Sequence, residues 1–440
     1  MNIELTDRLT NRKIFLFWGP LALTWLMMAF EQPFLIAFIA RLSEAKFNLA
    51  AFGIAGSFAM IIEAPIIMLL SASTALVTGR NSYRKLKKFT DILNAVITGI
   101  HLIIIIPAVF DFIAIDIMEV PENVAELSYT ALVLFIPWSA SIGYRRFYQG
   151  IIIRKGFTRM VTYGTLIRLS VITIAGLILY FAGIPGAYVG AAAMSSAVVL
   201  EAIATRIMVS ASLKEVLGRD DPENRNMSLK TVTGFYAPLA MTSVLSMGIH
   251  PFVTFFLSRS YMAVESLAVL PVVTSLVFIF RSAGLSYQEV NIALMGKGKH
   301  NYDILKGFAV SLGVALTLLI TVVAFTPLAN LWFINISGLT KELADLSYLP
   351  LKIMILLPAL TLLMSFQRST LVLNGNTGPI SVSTAIELIV IVSSLIICTG
   401  FLNLTGVVAA AISFVAGRVI STLYLLPIQT SIVKNWSSGK

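Results

Sequence analysis

An all-α membrane protein of twelve transmembrane helices in two six-helix lobes is the fold class that three observations predict. The first is composition: of 440 residues, 57% are hydrophobic and only 12% charged, against about 25% charged in soluble domains. No soluble core absorbs that apolar excess. The second is segmentation into twelve apolar runs, each near or above the roughly 20 residues that span a bilayer. The third is a repeat at half-chain distance, too long for a solenoid. Pro20, Leu21 and Ala22 recur as Pro238, Leu239 and Ala240. Pro33, Phe34, Arg41, Leu49 and Ala50 recur as Pro251, Phe252, Arg259, Leu267 and Ala268, every pair 218 positions apart.

The runs follow one another as 14–40, 48–78, 89–113, 127–150, 160–182 and 187–212. The second half supplies 232–258, 266–294, 307–327, 347–373, 379–400 and 405–428. The first run opens at Ile14 and is much longer than the roughly 7–15 residues of a signal-peptide core, so it is expected to remain as a span. An even number of spans per half returns both copies to the same face, which predicts parallel repeats related by an axis along the membrane normal. The polar stretch 213–230, with Asp221, Pro222 and Asn224 against helix, is the expected cytoplasmic linker between lobes 1–212 and 231–440.

Lysine and arginine in the short loops orient the chain. Twenty lie on one face and four, Arg41, Lys46, Arg259 and Lys341, on the other, which puts both termini in the cytoplasm. A plasma or inner membrane is expected. The net charge of +10 is spread over those loops rather than gathered on an aromatic-rich face, so nucleic acid is not an expected partner. A single cysteine, Cys398, excludes an internal disulfide and a thiolate metal cluster. No Walker-type loop, metal-ligand cluster or nucleophile–base pair is visible, and neither a cofactor nor an enzymatic activity is expected. Gly79, Arg80, Asn81 and Ser82 are too short a match to a phosphate-binding loop.

Charges remain inside the runs: Arg145, Arg146, Arg168, Arg206, Arg281, Lys352, Arg368 and Arg418, with Glu31, Glu63, Glu201 and Glu387, and Glu289 nearer a helix end. Charge in hydrocarbon costs a few kcal/mol or more, so such residues face a cavity, a partner or an interface. Arg145, Arg146, Lys352, Arg206 and Arg418 lie within reach of a surface and also admit a reading as snorkelling side chains. Thr24, Met27 and Glu31 share one face of the first span, followed by Gln32. The seventh carries Thr242, Ser246, His250 and Thr254 at four-residue steps, and the eighth aligns Arg281, Gly284 and Gln288. The 218-residue register sets Glu63 against Arg281, so one slot carries opposite signs in the two lobes. Either the two pair, or they divide the binding of proton and anion. Later in the chain Arg146, Gly156 and Thr162 are matched to Arg368, Gly378 and Thr384, 222 positions on, and Gly190 and Ala193 to Gly406 and Ala409, 216 on.

The patterns PLALT to EQ with LAAFGIAGSF (Pro20 to Gln32, Leu49 to Phe58), PLAMT with HPFVTFFLSR (Pro238 to Thr242, His250 to Arg259), and LPLKIMILLPA (Leu349 to Ala359) resemble the progressive ankylosis (ANK) family. That family lies within the superfamily of multidrug and toxic compound extrusion (MATE) transporters and lipid-linked oligosaccharide flippases. The resemblance implies a V-shaped MATE-like pair of lobes, alternating access, and export of small polyanions of the pyrophosphate, citrate or nucleotide class. Glu31 and Gln32 match the family's EQ pair and Arg259 its SR, whereas His250 stands where arginine is expected. Candidate substrate contacts are therefore Arg281, His250, Gln32, Gln288, Arg368 and Arg146. Glu31 and Glu63 are candidate carboxylates for a coupling ion, H+ or Na+. A cation-coupled multidrug antiporter and a lipid-linked sugar flippase are the alternatives.

Overall fold

The computed structural model describes residues 9–39, 42–118, 120–221, 227–257, 259–295, 301–337 and 339–437. Among them the backbone is almost wholly helical, because in lipid every N–H and C=O must find its partner within the segment. Among the described residues ten helices are long and apolar enough to cross a membrane, or up to twelve if each of two bent pairs counts as one span. The chain is a multi-pass membrane protein. Its exposed face is apolar rather than charged: Ile174, Ile178 and Phe181 form a stripe 57%, 63% and 81% exposed, and Val310, Val314 and Leu318 form another.

The first half runs α1 (Asn11–Ile39), α2 (Ala45–Glu63), α3 (Leu69–Leu76), α4 (Arg80–Ile104), α5 (Pro107–Asp111), α6 (Glu122–Leu134), α7 (Ile136–Arg154), α8 (Thr158–Phe181), α9 (Gly186–Met208) and α10 (Ser210–Gly218). The second runs α11 (Leu229–Leu257), α12 (Ala263–Leu285), α13 (Tyr287–Met295), α14 (Tyr302–Phe325), α15 (Leu328–Asn330), α16 (Lys341–Ile353), α17 (Leu357–Leu373), α18 (Gly378–Ile396) and α19 (Gly406–Ser437).

Three expectations shift. The third span is not 89–113: α4 stops at Ile104, and the segment from Pro107 to Ile117 leaves at 77°. Proline forces the extended conformation on Ile106 and lacks the N–H that would continue the helix. The fourth span bends by 40° between α6 and α7, where Pro137 sits in the first turn of α7. The stretch 213–230 is not uniformly irregular, since α10 carries helix through to Gly218.

The chain packs as two compact units. One is Phe30–Ser243. The other joins Ile3–Ala29 to Val244–Lys440. The borders fall inside α1 and α11, so each of those helices contributes a half to each unit. In the first unit the core is built on Phe52, Phe110, Phe135 and Trp138. In the second, Val273, Phe333 and Met354 pack with Val407 and Ala411 of α19.

The backbone preserves the repeat where the side chains blur it. Among the described residues six have positive φ, and they form three pairs: Glu44 with Met262, Gly156 with Gly375, and Gly183 with Asn403. Their separations are 218, 219 and 220 positions. The π-helical turns Phe112–Ile117 and Leu331–Ile336 also lie 219 apart. These turns correct the 222 and 216 spacings matched within helices. Those matches slip by about one helical turn, which leaves residues on the same face and so escapes notice in an apolar run. In the backbone register Arg368 corresponds to Gln149, not to Arg146. Glu63 and Arg281 remain counterparts.

Candidate functional site

In the unit Phe30–Ser243, five helices bring six charges together. Glu31 comes from α1, Glu63 from the end of α2, Arg145 and Arg146 from α7, Arg168 from α8 and Glu201 from α9. Arg145 Nη1 donates to Glu201 Oε2 at 2.5 Å, and Gln149 Nε2 donates to Glu201 Oε1 at 3.1 Å. Arg168 reaches the same Oε2 at 3.4 Å and pairs through Nη2 with Glu31 Oε2 at 2.7 Å. The Arg168–Glu31 contact is a charge pair without hydrogen-bond alignment, and Glu31 Oε1 has no hydrogen-bond partner.

Glu63 lies in the field of Arg145 and Arg146, but among the described residues it forms no ion pair, and its Oε2 accepts no hydrogen bond. The Trp138 indole nitrogen lies beside it and falls short of hydrogen-bond geometry. None of the six charged residues is more than 9% exposed. Three arginines face three glutamates, so the cluster is neutral when all are ionised. Its net charge is balanced, although Glu31 Oε1, Glu63 Oε2 and the Nε atoms of all three arginines have no hydrogen-bond partner.

The other unit uses the same scaffold differently. Arg281 on α12, Arg368 on α17 and Arg418 on α19 share a single carboxylate, Glu387 on α18. Arg418 Nη2 pairs with Glu387 Oε1 at 2.8 Å. Its Nη1 faces only the Met364 thioether, 3.1 Å away. Arg281 Nε donates to Thr361 Oγ1 at 3.0 Å, and Arg368 Nη2 to Thr384 Oγ1 at 2.9 Å. Among the described residues neither Arg281 nor Arg368 has a carboxylate ion pair. The cluster carries a net charge of +2. All three guanidinium-bearing residues are partly exposed.

Close helix packing sets this geometry. A Cβ on Gly417 would lie 2.7 Å from Ile391 Cγ1 and 3.0 Å from the Glu387 carbonyl. The bare glycine therefore lets α19 lie against α18 and puts Arg418 beside Glu387. The Thr384 hydroxyl donates to the Ile380 carbonyl, which turns its lone pairs outward to accept from Arg368.

The sequence-predicted residues thus divide between the units. Arg281 and Arg368 belong to the positive cluster, while Arg146, Glu31 and Glu63 belong to the neutral one. Gln288 is buried on α13, about two helical turns beyond Arg281 and past the break at Ser286. Gln32 and His250 are carried by α1 and α11, and their side chains lie outside the described residues.

Snorkelling is corrected for two residues: Arg145 is ion-paired with Glu201 and Arg418 with Glu387. Lys352, by contrast, is exposed and sits over the Phe325 ring. Arg168, Glu201 and Glu387 stand in the sequence as intramembrane charges to which it assigns no role. Their signal was the coexistence of opposite signs at similar depth.

No family model matches the chain, and no curated protein matches it. Solved structures do. A MOP-superfamily transporter from Pyrococcus furiosus, for which reversed polarity of the binding pocket suggests a different function, aligns with a TM-score of 0.76 at 13% identity. That alignment covers 97% of this chain and 99% of that one. The Vibrio cholerae MATE transporter VcmN in its bent form aligns with a TM-score of 0.73 at 17% identity over 97% of each chain. An outward-facing multidrug resistance MATE transporter of the MOP superfamily aligns with a TM-score of 0.73 at 15% identity over 98% of each. The fold is that of the MATE transporters, with twelve helices.

Proposed function

We propose that this protein is a secondary active exporter working by alternating access, and that its substrate is a small organic or phosphate-bearing anion of the pyrophosphate, citrate or nucleotide class. The observation that carries the substrate reading is the positive cluster: three arginines, each partly exposed as a residue, answered by one carboxylate. An uncompensated cation within the apolar layer is costly, and an anionic substrate supplies the missing charge. Guanidinium is the side chain best matched to carboxylate and phosphate oxygens. The Pyrococcus neighbour, whose reversed pocket polarity suggests a different function, supports a change of substrate on this fold. The ANK-like branch is the part of the superfamily that fits such a substrate. Both termini lie in the cytoplasm in this reading, with the chain in the plasma or inner membrane.

A second reading, a cation-coupled multidrug antiporter, rests on Glu31 Oε1 and Glu63 Oε2, buried carboxylate oxygens without hydrogen bonds. The two readings part at Arg281. In proteoliposomes, Arg281→Ala should abolish transport of pyrophosphate or citrate, and Arg281→Lys should restore part of it, since a point charge cannot reproduce a planar fork. A cationic drug should be carried no worse by Arg281→Ala. Unimpaired anion transport in that variant rejects the anion site.

A further inference from the structure

The neutral and positive clusters stand on equivalent helices, yet only one is balanced. In the unit Phe30–Ser243 the positions corresponding to Arg281 and Arg368 hold Glu63 and Gln149. Among the described residues the cluster of arginines has one carboxylate, Glu387, and it pairs with Arg418 at 2.8 Å. Arg281 and Arg368 are held by hydroxyls, not by charges. Thr361 takes the Nε of Arg281 and leaves its Nη groups uncommitted to any carboxylate. Thr384 takes Nη2 of Arg368 and leaves Nε unbonded.

We propose that the cluster of Arg281, Arg368, Arg418 and Glu387 selects doubly charged anions, and that Glu387 sets this valence by neutralising Arg418. The proposal rests on the anion reading above and adds to it the charge of the substrate and a specificity-determining residue. A dianion brings the cluster to zero, so citrate and pyrophosphate, which are mainly trianions near neutral pH, enter it in their more protonated, dianionic forms. A monoanion leaves one guanidinium charge unmatched, and a trianion leaves an excess negative charge, each expensive at low dielectric. Glu387 acts through Arg418, so it is a positioning residue, and its signature is the order of preference among anions of different charge.

The test uses purified full-length protein and three carboxylates of similar size at pH 7.5: butyrate, glutarate and tricarballylate, read by calorimetric titration. Wild type should prefer glutarate, with each competitor weaker by about tenfold or more. Glu387→Gln, which raises the cluster to +3, should move the preference to tricarballylate. Arg281→Gln and Arg368→Gln, which lower it to +1, should each move the preference to butyrate, and Glu387→Asp should retain the wild-type order.

If Glu387→Gln does not fold, the two arginine variants decide alone, and an unchanged order in both overturns the proposal. A wild type that binds these anions in another order overturns the valence assignment while leaving anion transport intact. A wild type that binds none of them overturns the valence proposal, and the anion reading is then judged by the Arg281→Ala transport assay above.

Discussion

Arg418 closes on Glu387 at 2.8 Å, and that one ion pair accounts for all the negative charge in a cluster of three arginines. It exists because α18 and α19 lie in glycine-mediated contact at Gly417. Gly417→Ala should therefore do two things. A methyl group 2.7 Å from Ile391 Cγ1 forces the helices apart, which overpacking data put at about 1–3 kcal/mol. It should also loosen Arg418 from Glu387. Thermal unfolding in detergent reads the first effect and anion titration the second. A Gly417→Ala protein with unchanged midpoint and unchanged anion affinity would show that the close approach is not needed.

Arg168 bridges two carboxylates, Glu31 and Glu201, with only 3% of its surface exposed. Removing one partner of a buried pair strands the other, at about 3–5 kcal/mol. Arg168→Met should lower the unfolding midpoint sharply. Adding Glu31→Gln to Arg168→Met should recover part of the loss, because the stranded charge is gone. The comparison is a double-mutant cycle on the midpoint. A double variant no more stable than Arg168→Met alone would remove the pair from the folding energetics.

Asp221 offers a pH-dependent prediction outside the spans. Its carboxylate crosses from the inter-lobe segment to the start of α4, accepting from the amides of Asn81 at 2.9 Å and Ser82 at 3.1 Å and from the Ser82 hydroxyl at 2.6 Å. Gly79 makes room, since a Cβ there would lie 2.8 Å from Asp221 Cβ. The four-residue stretch at Gly79 thus receives a carboxylate of its own chain.

Burial pushes the Asp221 carboxyl up, but the bonds from Ser82, Asn81 and Thr78 outweigh it and hold the group below its usual range. Its stabilisation is therefore complete above the unfolded value of about 3.9 and fades as pH falls through the lower folded value. Asp221→Asn should cost about 1–3 kcal/mol at neutral pH, and the gap from wild type should narrow only under acid, below about pH 4. A gap that closes near neutrality would contradict this assignment.

Helical content, the membrane class and the shared slot of Glu63 and Arg281 were all legible in the sequence, because composition and a gapless repeat carry them. The ion-pair networks were not. Glu31, Arg145, Arg168 and Glu201 meet only after four helices fold together, and nothing local in the chain predicts which arginine faces which carboxylate. Arg145 and Arg418 looked like surface-seeking cations for that reason. The 218-residue register held over the opening stretch, and the later matches at 222 and 216, the turn residue Gly156 among them, missed by three or four positions. An apolar run matches itself equally well one turn away, whereas a left-handed residue such as Glu44 or Met262 marks a fixed backbone position.

Glu63 and Glu31 were both candidate coupling carboxylates, and their surroundings now separate them. Glu31 is tied to Arg168 at 2.7 Å, so protonating it breaks an ion pair. Glu63 has no ion pair among the described residues, and its Oε2 is free of hydrogen bonds, so a proton can enter without dismantling a contact. Its charge changes the field at Arg146 and at Arg145, which is itself paired with Glu201. If the exporter proposed above is proton-coupled, these surroundings favour Glu63 over Glu31 as the carboxylate that takes the proton. In proteoliposomes with an imposed pH gradient, Glu63→Gln should leave anion binding intact and remove the response of transport rate to the gradient. Glu31→Gln should lower stability and keep the gradient response in the fraction that folds. If Glu63→Gln responds to the gradient as wild type does, and Glu31→Gln does not, the coupling role passes to Glu31 and its ion pair with Arg168 becomes the element that opens on protonation.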